Sequence, residues 1–130
     1  MIFSAVFTTN AQEETFQITV FISGLDSNEG QVLIALHNEK AQFLKTAFKN
    51  AITKITNKKV MYTFKKIPVG EYAISVFHDK NSNNKMDVNF LGIPKEAYGC
   101  SNNTKGFMGP PKYEDAKFQL TKNSTIRIQI

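Results

Sequence analysis

From Thr15 onward apolar residues fall at every second position: Phe16, Ile18, Val20 and Ile22 alternate with Thr15, Gln17 and Thr19. A spacing of two places the apolar set on one face of an extended strand, and no helix satisfies it. The pattern returns at Val60, Tyr62 and Phe64, at Tyr72, Ile74 and Val76, and at Ile126, Ile128 and Ile130. Val32 to Leu36 is a continuous apolar run, which suits a strand buried on both faces. Phe118 with Leu120 adds a short strand and residues 51–56 a weak one. Helical spacing is confined to Phe43, Leu44, Ala47 and Phe48, enough for one short helix. About seven short strands without repeated crossover helices predict an all-β, antiparallel β-sandwich. The expected core is Phe16, Ile18, Val20, Val32, Ile34, Leu36, Tyr62, Phe64, Ile74, Val76, Phe118, Ile126 and Ile128, with Gln17, Lys65, Lys117 and Arg127 outside. At 130 residues and 42% hydrophobic, the chain has material for one such domain and little room for a second.

The phrase Phe64-x-x-Ile67-Pro68-x-Gly70-x-Tyr72-x-Ile74-x-Val76 resembles the turn that leads between strands in transthyretin-like (prealbumin-like) sandwiches. The resemblance implies a fold and no chemistry.

Met1 to Gln12 carries no charge and passes from apolar to small and polar, with Thr9 and Ala11 placed as a signal peptidase would read them. Residues 1–11 are expected to be a truncated signal-peptide remnant and residues 12–130 the single domain, exported to the periplasm or the extracellular space. A short strand-like or unstructured N-terminus is the alternative. A single cysteine excludes an internal disulfide framework and any cysteine-based zinc site. No apolar run is long enough to span a membrane. The chain carries sixteen Lys and Arg against eleven Asp and Glu, a net charge of +5. Only Arg127 is an arginine, and lysines are spread from Lys40 to Lys122, a pattern of solvated strand faces rather than a nucleic-acid interface.

From Asp79 to Lys112 the chain is polar and carries no strand pattern of any length. An excursion of this size inside a small domain is usually functional, and it is expected to form a long ordered loop. Its first part holds oxygen side chains at positions 1, 3, 5 and 9 of a calcium-loop register: Asp79, Asn81, Asn83 and Asp87, with the Lys85 carbonyl at position 7. Position 6, which needs positive φ, is Asn84, the residue that tolerates it best after glycine. Position 12, where an EF-hand has a bidentate Glu, is Phe90. The alternative is an Asn-rich turn in which Asx side chains bind their own backbone. Asp79, Asn81, Asn83, Lys85 and Asp87 are therefore candidate Ca²⁺ ligands, and no other cofactor is expected.

The run His78 to Asn103, with Gly70-Glu71-Tyr72-Ala73 before it and Asp115-Ala116-Lys117-Phe118 after it, resembles the bacterial family catalogued as domain of unknown function 2141. Members read approximately HDxNxNGKxDxNxxGxPxEgyGFSN there, and the likeness extends from about Phe16 to Ile130. It implies exported single-domain β-sandwich proteins, with no activity to carry over. Asn84 stands where the family has the loop glycine and Cys100 where it has Phe, so Cys100 is not a shared nucleophile.

No G-x-S-x-G elbow or H-E-x-x-H helix is present. The sequence therefore points first to a binding or accessory module, whose partner is another cell-envelope protein or a saccharide. The rivals are a hydrolase using His78, Asp79 and Glu96, and a structural module of the cell envelope. Where those three side chains point separates the readings.

Overall fold

The computed structural model describes residues 14–85, 96–105 and 110–130. Eight strands and one short helix follow in the order β1 (Thr15–Ser23), β2 (Gln31–His37), β3 (Lys49–Thr53), β4 (Val60–Pro68), β5 (Gly70–Asp79), β6 (Tyr98–Cys100), α1 (Tyr113–Ala116), β7 (Phe118–Leu120) and β8 (Ser124–Gln129). One sheet has the order β4-β1-β8 and the other β3-β2-β5-β6, with β7 pairing β5 at Gly70–Tyr72. Between the sheets lies one core, to which β1 contributes Ile18, Val20 and Ile22, β2 contributes Val32, Ile34 and Leu36, and β5 contributes Tyr72, Ile74 and Val76. Each fully buried aliphatic side chain stabilises by about 1.5–3 kcal/mol, so period-two alternation is what holds the two sheets together.

The all-antiparallel expectation needs one correction. β1 and β8 run parallel, Ile18 opposite Ser124 through Ser23 opposite Gln129. A parallel pair needs a long crossover, and here the connection is the rest of the domain rather than a helix. Alternation reports which face is buried and is blind to strand direction.

β4 departs from strict alternation. Phe64 and Ile67 are both buried although three residues apart. The register passes from Phe16–Ile67 to Ile18–Phe64, so Lys65 and Lys66 together oppose Gln17 in a β-bulge, with Lys66 at φ +56°. The passage Ile67-Pro68-Val69-Gly70 is no hairpin either: a single residue, Val69, carries the chain from one sheet to the other. The Tyr72 hydroxyl donates to the Pro68 carbonyl at 2.6 Å across this corner, and the Val69 N–H donates to the Glu14 carbonyl at 3.2 Å.

Of the expected core, Phe16, Tyr62, Phe118 and Ile126 are only half-buried and pack on its border. Gln17, Lys65 and Arg127 are exposed, while Lys117 is half-buried beside Glu114, 2.9 Å away. The helix expected over Phe43–Phe48 does not form. A 3-10 turn at Lys40–Gln42 ends just before it, and Leu44 adopts φ +64°. Two turns of amphipathic sequence are too short to hold a helix alone. Phe43 instead turns in against His37 and Tyr113, ring centroids 5.1 and 5.6 Å away, and the Phe48 N–H joins the Leu36 carbonyl. The α-helix among the described residues, α1, contributes Tyr113 and Ala116 to a small second cluster with Ala73 and Cys100.

Candidate functional site

Asp79 ends β5 directly opposite Gln31 of β2, and it is wholly buried. Its carboxylate organises the chain that follows. Oδ1 accepts the Asn83 N–H at 3.2 Å, and Oδ2 accepts the Asn84 N–H at 2.7 Å and the Gln31 Nε2 at 2.9 Å. Gln31 Nε2 also donates to Asn84 Oδ1 at 2.6 Å. Hydrogen bonds to an ionised acceptor are about twice as strong as neutral ones, and a buried carboxylate is tolerated only when so served. The loop then repeats a shorter device: Asn81 Oδ1 accepts the Asn83 N–H at 3.3 Å, and Asn83 Oδ1 accepts the Lys85 N–H at 3.0 Å. These are Asx turns, in which a side chain binds the backbone two residues on. Asn84, at the sixth position of the register, has φ +64°, and Ser82 has φ +54°.

Gly30 and Gln31 seat this loop, and the sequence reading missed both. Gly30 has φ +72°, and a Cβ there would overlap the Asp79 carbonyl oxygen and lie 2.6 Å from that of Lys80. The only signal was the turn chemistry of Gly24 to Gly30, which does not reveal what the turn touches. Around the loop, Lys80 Nζ meets Asp26 Oδ2 at 2.9 Å; that ammonium holds the Asp26 carboxyl below its usual range, and Asp26 in turn raises Lys80.

The donor types present are all oxygen, which suits a hard cation such as Ca²⁺ and not a thiophilic or imidazole-seeking metal. Asp79, Asn81, Asn83 and Lys85 stand in one curled segment. Asp87, the fifth candidate, lies outside the described residues, as do residues 1–11 of the export reading and Phe90. The Asx-turn geometry is common to both readings of this loop.

His78 and Asp79 do not face one space. His78 and Asp79 are neighbours on a strand, so their side chains leave on opposite faces. His78 pairs across with the core residue Val32; its ring is buried, with Nε2 at 2.6 Å from the Glu29 carbonyl. Glu96 Oε2 accepts the Lys80 N–H at 3.2 Å. Cys100 packs in the small cluster under α1, where burial pushes its thiol up to about 11, the reverse of what a nucleophile needs.

The stretch after β6 carries structural ties. Ser101 is wholly buried; its Oγ donates to the Ala116 carbonyl at 2.5 Å and accepts the Ile74 N–H at 3.0 Å. Asn102, at φ +60°, donates through Nδ2 to the carbonyls of Asp115 at 3.1 Å and Lys117 at 2.9 Å. Asn103 Oδ1 accepts the Gln129 N–H of β8 at 2.9 Å. Three consecutive side chains thus bind β5, α1 and β8.

Among the described residues, no helix is long and apolar enough to cross a membrane. No curated protein matches the chain, and no solved structure does. A family model described as an uncharacterised protein conserved in bacteria (DUF2141) matches residues 20–128, from within β1 to within β8 and across the whole Asp79–Lys112 excursion. The chain belongs to that bacterial family.

Proposed function

We propose that this protein is a non-enzymatic binding or accessory module of transthyretin-like sandwich form. It works outside the cytoplasm, and its loop takes a calcium ion through Asp79, Asn81, Asn83, the Lys85 carbonyl and Asp87. The observation that carries the reading is the buried Asp79 carboxylate, which heads a loop of alternating Asx oxygens with positive φ at its sixth position. Two carboxylates give the ion little charge compensation. Its dissociation constant is expected to be about 10⁻⁴–10⁻³ M, the range of extracellular modules. Such a site fills only where calcium is near millimolar, in keeping with export. The bound ion would stiffen the surface offered to a cell-envelope protein or a saccharide.

Thermal melts with chelator and with millimolar Ca²⁺ test this. At ten times the dissociation constant, calcium should add about 1.4 kcal/mol by mass action. The gain should vanish in Asp79→Ala, shrink in Asp87→Asn and grow in Asn84→Gly, where glycine relaxes the positive-φ position. Superimposed wild-type curves would remove the metal from the account and leave an Asx-turn loop closed by its own backbone.

A further inference from the structure

β3 and β4 are the end strands of the two sheets, and a tight turn at Thr56–Lys59 joins them, so they share one flank of the domain. From Lys45 to Lys66 the chain has seven lysines and neither Asp nor Glu, while the other 108 residues hold nine basic and eleven acidic side chains. All seven are exposed, and the ion pairs of the described residues involve Lys40, Lys80 and Lys117 instead. Lysines that look scattered along the sequence are thus gathered by the topology into one basic flank on a molecule otherwise slightly acidic.

Two of them occupy positions where the backbone favours glycine. Asn57 and Lys58 both have positive φ, as a type I′ turn requires, and Asn-Gly is the usual pair there. Lys66 has positive φ in the β4 bulge. Lys58 is pinned by its N–H to Asn28 Oδ1 at 2.7 Å.

Each edge pairs on one side only, so β3 and β4 present an open row of backbone groups. The bulge interrupts β4, whereas β3 pairs with β2 in unbroken register from Lys49 to Thr53. β3 also carries Ile52, 55% exposed, and follows Phe48, 42% exposed. Arg127, the residue best suited to bidentate phosphate contacts, lies on the other sheet over the Phe21 ring. Edge lysines repel a second, equally basic copy of this edge, and by the same charge they admit an acidic strand.

We propose that the β3 edge docks an extended acidic polypeptide, which adds as a strand beside β3 with its carboxylates on the flank lysines and its alternate apolar side chains against Ile52 and Phe48. Main-chain bonds hold such a segment, and side chains of alternating orientation select it.

The probe is a synthetic peptide alternating Glu and Val, titrated against the full chain by fluorescence anisotropy at low and raised salt. Binding should weaken with salt and fall about tenfold or more in the exposed double variant Lys49→Glu/Lys54→Glu, with the melting curve of the variant unchanged. A peptide of equal charge with Pro in place of alternate Val should lose binding, because it cannot form the ladder. Equal binding of the Pro peptide would overturn strand addition in favour of simple charge attraction. Tighter binding of duplex DNA or of phosphatidylglycerol vesicles would overturn the polypeptide partner. No binding at low salt would leave the lysines as a solvated edge and refute the proposal.

Discussion

Replacing Asp79 by Asn keeps the shape of the side chain and removes its charge, so it isolates what the carboxylate does for the loop. Three donors meet the two oxygens: Asn83 N–H on Oδ1, and Asn84 N–H with Gln31 Nε2 on Oδ2. The amide can place its one oxygen at the Oδ2 position and keep two bonds, each reduced from charge-assisted to neutral. That loss is about 0.5–1 kcal/mol per bond. Its NH₂ then faces the Asn83 N–H, and that bond, worth about 1 kcal/mol, is replaced by a donor–donor contact. The total is about 2–3 kcal/mol. At roughly 4 °C per kcal/mol for a domain of this size, the melting temperature should fall by about 8–12 °C. The melt is followed by circular dichroism in chelator, so that no ion contributes. Amide hydrogen exchange should show faster exchange at Asn83 and Asn84 than in the wild type. A variant that melts within about 2 °C of the wild type, with both amides equally protected, would refute the claim that this carboxylate closes the loop.

Ser101→Ala should cost about 2–3 kcal/mol in urea unfolding, because it strips a buried Ile74 N–H and the Ala116 carbonyl of their partner; a midpoint unchanged from the wild type would deny the tie. Gly30→Ala should cost more than about 2 kcal/mol, combining the positive φ with overlap on the Asp79 and Lys80 carbonyls, and should weaken any calcium response with it. Burial lowers the His37 pKa below its usual value, with the Thr46 backbone opposing in part. The unfolded chain therefore takes up its proton first, near pH 6.5, and stability present above that pH should fall as the pH drops below it. His37→Asn should flatten that part of the urea-midpoint profile, and an unchanged slope would assign it elsewhere.

The pattern of two was enough to locate strands, because burying alternate side chains is what the sheets are for. β1, β5 and β8 carry it in sequence and β4 does as far as its bulge, while β2, a continuous apolar run, alternates only in its burial; Ile18, Ile74 and Ile128 reach the core as their spacing implies. It failed where tertiary contacts overrode local preference. β6 has three residues and no run of its own to alternate; it exists because Tyr98 and Cys100 pair with Phe77 and Ser75. α1 has four residues, and no helical period can show in so few. Leu44 left its apolar face because His37 and Tyr113 offered Phe43 a better contact than the helix did. At the loop, the spacing of Asp79, Asn81 and Asn83 and the positive φ at Asn84 were legible, since both are local. Gly30 and Gln31 were not, because they reach the loop across a sheet from about fifty residues away.

The family-like run between His78 and Asn103 is full of Asp, Asn, Ser and His, yet among the described residues most of those side chains end on backbone. Asp79 and Asn83 bind N–H groups inside the loop, His78 lies on the Glu29 carbonyl, and Ser101, Asn102 and Asn103 tie β5, α1 and β8. The His78 N–H meets the Ala97 carbonyl at 2.9 Å, and Glu96 meets the Lys80 N–H, so the two ends of the segment between them are brought together at the sheet end. That is the geometry of a loop whose ends lie close together. Loop backbone cannot share the ladder bonds of a sheet, and its polar groups must find partners elsewhere. Short Asx and Ser side chains supply them within a residue or two. A polar motif of this kind therefore reports first on how loop backbone is tied to the ends of the strands beside it. Substitutions inside it should lower stability before they alter any binding, and a binding assay on such variants is interpretable only beside a melting curve.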